Sequence, residues 1–153
     1  MIARPNSPLR PYRARQLLAR HRDTRGVAFG SMSAARELGV LGERFAALHF
    51  RRLGYDIVER NYRFGHREID LIVRKGPVIA FVEVKARAGD GFGHPLAAIT
   101  ARKRREVERV ARNWVQRNGR RGFSYRFDAV GVMVRPGAEP RIEHIPNAWL
   151  RGE

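Results

Sequence analysis

The chain has 153 residues, of which 43% are hydrophobic, a formal net charge of +16 and no cysteine. This length fits one domain, and the lack of cysteine excludes a disulfide framework and a thiolate metal site, as expected of a cytoplasmic protein. No apolar run approaches the roughly 20 residues that span a bilayer, and a pI near 11.6 predicts a polyanionic partner, nucleic acid first, and no membrane partner.

Residues 1–30 are predicted to form a basic, disordered N-terminal tail, and residues 31–153 a folded domain. The tail contains seven arginines but one acidic residue, Asp23, and no sustained apolar period. An organelle transit peptide has a similar composition. Met32 is an alternative start of the chain.

A helix and three strands are predicted in the first half of the domain. The helix covers 33–53, because apolar residues from Leu38 to Leu48 recur at spacings of three and four. Gly54 ends it. Three apolar runs follow, and the turns between them are short enough for an antiparallel meander. The strands are predicted at 55–62, 68–74 and 78–86, and the turns at 64–66 and 75–77.

The second half begins with a glycine-containing loop over 88–95. A second helix is predicted over 100–118, with Val107, Val110, Ala111 and Trp114 on its buried side. Two more strands are predicted at 125–134 and 141–145. The order α-β-β-β-α-β-β predicts an α/β domain.

The third strand ends in the charged sequence Glu83-Val84-Lys85. Residues two apart share a face of a strand, so Glu83 and Lys85 point the same way. A carboxylate and an ammonium are costly to bury unless they are paired or bound. Asp70 lies on the preceding strand, and two acids with a lysine can hold a divalent metal against a phosphate. The alternative is a Glu83–Lys85 ion pair on an edge strand.

The choice of lysine at position 85 supports a specific role. Only Lys75, Lys85 and Lys103 are lysines among 31 basic residues. Lysine is a compact point charge, whereas arginine is a planar fork that stays protonated. The pattern indicates that position 85 requires an ammonium, with chance as the alternative.

Several short motifs occur in order between about residues 35 and 145. They are Gly42-Glu43, Gly54-Tyr55, Arg60-Asn61-Tyr62, Glu68-Ile69-Asp70-Leu71-Ile72, Phe81-Val82-Glu83-Val84-Lys85-Ala86-Arg87, Phe92-Gly93 and Arg126-Phe127-Asp128. Together they resemble the bacterial YraN-like family, which is similar to restriction-endonuclease-like nucleases, including archaeal Holliday junction resolvases. The resemblance implies an α/β fold with a restriction-endonuclease-like core (α-β-β-β-α-β), in which helices flank a mixed central sheet.

The resemblance also implies a catalytic site. Asp70, Glu83 and Glu43 would be catalytic acids and ligands of Mg²⁺ or Mn²⁺, and Lys85 the catalytic lysine. Glu43 has the alternative of a carboxylate on a solvated helix face. The family usually has glycine where this chain has Arg67, which alters the turn but leaves the acids in place. The implied activity is metal-dependent endonucleolytic hydrolysis of phosphodiester bonds in DNA, with branched or damaged DNA as candidate substrates.

Basic residues of the second helix and of the preceding strand fit a surface that follows the phosphate backbone. The alternative is an ordinary solvated face. Lys103, again a rare lysine, is also a candidate to reach the acids. The predicted nucleic-acid contacts are Arg87, Arg102, Lys103, Arg104, Arg105 and Arg109.

Other polar residues receive weaker predictions. Glu68 shares a strand face with Asp70 and is either an outer neighbour of the site or solvent-facing. His66 and His94 are candidate general bases, with surface or capping roles as the alternative. Asp128 is predicted to pair with an arginine and not to be catalytic.

Two other functions remain open. One is a non-catalytic nucleic-acid-binding protein of the same fold, and the other a basic accessory protein whose tail docks on RNA or a ribosome. DNA is favoured over RNA as the partner. A homodimer would fit an enzyme that cuts junctions, because such an enzyme needs two sites.

Overall fold

The computed structural model describes residues 32–89 and 95–152, which form a five-stranded sheet with a helix on each face. The predicted tail, most of the glycine loop and His94 lie outside these residues. The elements are helices α1 (Met32–Arg52) and α2 (Ala101–Asn118), a 3₁₀ helix at Pro95–Ala98, and strands β1 (Asp56–Phe64), β2 (Arg67–Lys75), β3 (Val78–Ala88), β4 (Ser124–Val134) and β5 (Arg141–Trp149).

The sheet is mixed, with the strand order β1-β2-β3-β4-β5. The pairs β1–β2, β2–β3 and β4–β5 are antiparallel, whereas β3 and β4 are parallel. Parallel neighbours require a crossover connection, and the segment that contains α2 supplies it. The predicted α/β class, the antiparallel meander and the mixed sheet between helices are therefore confirmed.

The two faces of β3 pack against different helices. Val82 and Val84 belong to the apolar cluster that includes α1. Ile79 and Phe81 belong to the cluster that includes α2, with Val107 and Trp114. Because side chains alternate along a strand, position 83 lies on the α2 face of the sheet.

Strand β5 is longer than predicted. It runs to Trp149, although Pro146 interrupts the pattern that indicated an end at Ile145. Proline is tolerated on an edge strand, because its missing N–H is not needed there, and β5 lies at the end of the strand order. The pairing with β4 shifts register between Phe127 and Ala129, which accommodates the irregular segment.

Strands β1 and β3 also continue two residues beyond their predicted ends, to Phe64 and Ala88. Phe64 pairs with Arg67 across a two-residue turn, so only Gly65 and His66 form that turn. In the described part of the chain, no helix is long and apolar enough to cross a membrane.

Helix α1 packs tightly against β3 at Gly42, and we expect Gly42→Ala to destabilise the fold. A Cβ added there would lie 2.6 Å from Cβ of Ala86, whose short side chain cannot move aside. The overpacking cost of about 1–3 kcal/mol exceeds the gain in helix propensity of up to ~1 kcal/mol. Urea unfolding should therefore show a net loss of about 1–2 kcal/mol.

Gly39→Ala is the matched control, because Gly39 lies on the same helix with no atom within 4 Å of an added Cβ. This change should stabilise the protein by up to ~1 kcal/mol. Equal effects of the two substitutions would contradict close packing at Gly42.

Candidate metal centre and basic helix

Strands β2 and β3 separate where the two acids lie. Their pairing runs from Lys75 and Val78 to Leu71 and Val82 and ends there, although both strands continue. Just beyond, Oδ2 of Asp70 accepts a hydrogen bond of 2.7 Å from the backbone N–H of Val84. A side-chain carboxylate thus takes the place of a backbone acceptor, directly beside Glu83.

Asp70 and Glu83 form a buried pair of carboxyl groups. Asp70 is 7% exposed and Glu83 is 3% exposed, and the two carboxyl groups are close enough to interact electrostatically. Burial, and then the neighbouring charge of Glu83, raises the pKa of Asp70 well above its ordinary value. Burial also raises the pKa of Glu83, although the Lys103 ammonium opposes this. Two acidic side chains are therefore held together out of water, where their charged forms are disfavoured.

The acidic pair has the chemistry of a hard-cation site. Oε2 of Glu83 is buried and has no hydrogen-bond partner among the described residues, and an unpaired buried acceptor is costly. Mg²⁺ is bound through one or two carboxylates and keeps several waters. The described ranges contain no group of three His, Cys, Asp or Glu residues placed to hold a metal ion. A metal site at Asp70 and Glu83 thus stays a prediction.

Glu43 lies at the margin of this site. Its Oε2 accepts a hydrogen bond of 2.9 Å from Nδ2 of Asn61 on β1. Burial and Glu83 have larger effects on the pKa of Asp70, and the charge of Glu43 raises it further. Glu43 is thus within electrostatic range of Asp70, and its role as a ligand stays a prediction.

The ion pair of Glu83 is formed across elements. Nζ of Lys103 on α2 lies 3.3 Å from Oε1 of Glu83. Strand β3 is the central strand of the sheet. The alternative of a Glu83–Lys85 ion pair on an edge strand was therefore wrong. Lys85 is partly buried on the same strand, and its charge lowers the pKa of Glu83 less strongly than burial raises it.

Two of the three lysines thus lie near Glu83, and the requirement for an ammonium at position 85 stays a prediction. Sequence reasoning assigned Lys103 to nucleic acid and only named it as able to reach the site. The third, Lys75, donates instead to the carbonyl oxygen of Leu53 at 2.7 Å. The direct Lys103–Glu83 contact depends on how α2 packs, which spacing along the chain does not reveal.

Some basic residues of α2 contact the rest of the protein, and the others are exposed to solvent. Nε of Arg104 donates to the carbonyl oxygen of Ile99 at 3.3 Å, and Lys103 turns to Glu83. Apart from Arg117 in the last turn, the remaining arginines are exposed at spacings of three, four and three, which places them on one face of the helix. This arginine stripe consists of Arg102, Arg105, Arg109 and Arg112. Arg87, at the end of β3, is also exposed.

Residues around the turn between β1 and β2 face outward. Oε2 of Glu68 accepts a hydrogen bond of 3.0 Å from Nε of the exposed Arg63, which favours the solvent-facing interpretation. Nε of Arg67 lies 4.0 Å from Oε1 of Glu106 on α2. His66 is exposed.

Asp128 belongs to a separate buried network, and its predicted pairing with an arginine is confirmed. It accepts two hydrogen bonds of 2.9 Å from Arg126, one from Nε2 of His144 and one from the backbone N–H of Asn147. Burial would raise the pKa of Asp128, but these donors together lower it. Nδ1 of His144 in turn lies 3.1 Å from Nε2 of His49. The network joins β4, β5 and α1 and was missed because its members are distant in sequence.

The fold and site together define a mixed α/β domain with a buried pair of acids, Asp70 and Glu83. The second acid belongs to the sequence Glu83-Val84-Lys85 on the central strand. The model of the uncharacterised protein family UPF0102 matches residues 42–132. The chain belongs to this family, which confirms the predicted YraN-like membership.

The matches to relatives from other bacteria cover most of the length of those relatives. A UPF0102 protein of Rhodococcus jostii is 41% identical over 73% of this chain and 95% of its own. One from Geobacter sulfurreducens is 41% identical over 73% of this chain and 88% of its own. One from Chlorobium chlorochromatii is 46% identical over 74% of this chain and 91% of its own.

Proposed function

We propose that this protein is a metal-dependent endonuclease that hydrolyses phosphodiester bonds in DNA, with branched or damaged DNA as candidate substrates. The observation that carries the proposal is the buried Asp70–Glu83 pair, which has an unpartnered carboxylate oxygen and two lysines beside it. Two acids raised in pKa by burial are unfavourable for folding alone, and such perturbed groups cluster at functional sites. No structural role accounts for the unpartnered oxygen of Glu83.

Asp70 and Glu83 would hold the cation, Mg²⁺ or Mn²⁺, with Glu43 as a candidate third acid. Bound there, such a cation lowers the pKa of a coordinated water and offsets phosphate charge. The backbone N–H of Val84 fixes the orientation of Asp70. Lys85, two residues beyond Glu83 on the same face, supplies a positive charge for the oxyanion or orients the attacking water.

The arginine stripe supports a nucleic-acid substrate. The first turn of helix α2 lies beside the acids, as the Lys103–Glu83 contact shows. The stripe extends from that end along the exposed side of the helix. Arginines in such a row bind phosphates and position the backbone without reading bases. DNA bound along α2 would thereby be brought to the acidic pair.

Lys85→Met is the most direct test of catalysis. We expect the cleavage rate to fall by about 10²–10³-fold, because the charge that stabilises the developing oxyanion is lost. Cleavage would be screened over duplex, single-stranded, flap and four-way DNA with Mg²⁺ and with Mn²⁺. Binding of the same DNA should change little, because the stripe is intact.

Lys75→Met is the matched control, since it removes the same charge at an exposed position that contacts Leu53. It should cut DNA at close to the wild-type rate. Equal rates for Lys85→Met and the wild type, or no cleavage of any substrate by the wild type, would overturn the proposal.

A non-catalytic nucleic-acid-binding protein is the second candidate, and the arginine stripe favours it as well. Such a protein needs the stripe but not the acids. Titration with Mn²⁺ separates the two candidates. If the protein is a nuclease, the wild type binds the ion and Glu83→Gln does not. If it is a non-catalytic binding protein, no Mn²⁺ binding depends on Glu83.

A further inference from the structure

Lys103 is placed differently from its basic neighbours on α2. Nζ of Lys103 lies 3.3 Å from Oε1 of Glu83, whose side chain is 3% exposed, whereas the side chain of Lys103 is 29% exposed. Arg102 pairs with Glu106 on the same helix, and Arg104 binds the carbonyl oxygen of Ile99. One cation of this basic run thus reaches from the adjacent helix into the acidic pair.

The contact with Lys103 pairs only one of the two carboxylate oxygens of Glu83. Oε1 faces the ammonium, while Oε2 is buried without a partner. A divalent cation at Asp70 and Glu83 would add two positive charges within a few ångströms of Nζ. Like charges at that distance in a partly buried site repel by several kcal/mol. The ammonium and the cation therefore cannot both sit against Glu83 without cost.

Lys103 is also able to leave. Its ammonium is at the end of a flexible four-carbon chain and already has a route to solvent. It lies one residue from Arg102 of the exposed stripe, along which a phosphate backbone would pass. A released ammonium at this position would face a phosphate.

We propose that Lys103 is a built-in counter-ion, which holds Glu83 in the metal-free protein and is displaced toward the phosphate backbone when a divalent cation binds. The proposal rests on the proposed function, because it requires a cation at Asp70 and Glu83. Lys103 is a positioning residue in this scheme: it acts through Glu83 and pairs with its buried carboxylate until the cation arrives. Cation binding and helix α2 are thereby coupled.

Binding of Mn²⁺ to the full-length protein, measured by electron paramagnetic resonance at pH 8, tests the competition without any cleavage assay. Lys103→Met should bind Mn²⁺ about tenfold more tightly than the wild type, because the competing charge is gone. Arg105→Met is the matched control, since it removes one positive charge from the same helix at an exposed position away from Glu83. It should leave the affinity within about twofold of wild type.

A stability measurement without metal gives a second readout. Lys103→Met should lower the melting temperature, because it leaves a buried carboxylate unpaired, and Glu83→Gln should remove that loss in the double variant. Mn²⁺ should also restore the melting temperature of Lys103→Met. A loss that persists in the Glu83→Gln background would overturn the counter-ion role.

The outcomes distinguish this inference from the proposed function. If the wild type and Glu83→Gln bind Mn²⁺ equally, the metal site itself fails. If the wild type binds Mn²⁺, Glu83→Gln does not, and Lys103→Met binds no more tightly than wild type, only the counter-ion proposal fails.

Discussion

Asp128→Asn is expected to destabilise the protein by about 3–5 kcal/mol, the range for removing one partner of a buried charge pair. Asp128 is fully buried and accepts hydrogen bonds from Arg126, His144 and the backbone of Asn147. An asparagine has the same shape, but its NH₂ group cannot accept the hydrogen bonds that one of the two carboxylate oxygens accepts. The Arg126 guanidinium also loses its counter-charge, although it keeps the hydroxyl of Tyr55.

Urea unfolding as a function of pH measures this effect. The pKa of Asp128 lies below its ordinary value of 3.8 in the folded protein, so its charged form stabilises the fold above that pH. The stabilisation is lost as the pH falls through the lower, folded-state pKa. The difference between wild type and variant should therefore be largest near neutral pH and shrink in acid. Asp56→Ala, at an exposed position of β1, should change stability by less than ~0.5 kcal/mol.

Asp70→Asn is expected to have the opposite effect on stability and to abolish cleavage. Asp70 is buried like a core residue, yet the neighbouring charge with the largest effect on it is that of another carboxylate, Glu83. Asparagine removes that repulsion and can still accept the hydrogen bond from Val84. We expect a gain of about 1–2 kcal/mol in the free energy of unfolding without metal. Cleavage should fall by at least about 10³-fold, because a metal ligand is lost.

The sign of the pH dependence also reverses. The pKa of Asp70 is raised above its ordinary value of 3.8 in the folded protein. Ionisation of Asp70 therefore lowers the free energy of unfolding. This effect is absent below that pH and develops as the pH rises through the folded-state pKa. The advantage of the variant should thus be full at high pH and vanish in acid. If Asp70→Asn proved as destabilising as Asp128→Asn, Asp70 would be a structural acid and the proposed site would lose its main support.

The sequence located most of the fold because the patterns involved are local. The apolar face of α1, the buried side of α2 and the alternating pattern of the strands each depend on residues a few positions apart. The end of β5 was missed because Pro146 is a strand breaker in general and tolerable only at an edge, which depends on the order of strands.

The acids of the site were equally visible in the sequence, since charged residues at the ends of apolar strands are conspicuous. Asp70, Glu83 and Lys85 were predicted together, and the structure buries the first two within electrostatic range of each other. The sequence named Lys103 only as able to reach the acids, and a Glu83–Lys85 ion pair only as the alternative to a metal site. Strand period places Lys85 on the same face as Glu83, whereas the distance to Lys103 is set by the packing of α2 across the sheet.

The sequence by itself determined the family, the order of helices and strands, and which charged residues stand out in an apolar context. Only the tertiary structure decided what those charges face. Asp128 and Asp70 are buried aspartates of one sheet, and the sequence suggested an arginine for the first and Glu83 for the second. Packing between strands added a histidine beside Asp128 and left Asp70 buried with a second carboxylate. The electrostatic energy of a buried charge depends on the distance to its partners, and those distances exist only after the chain has folded.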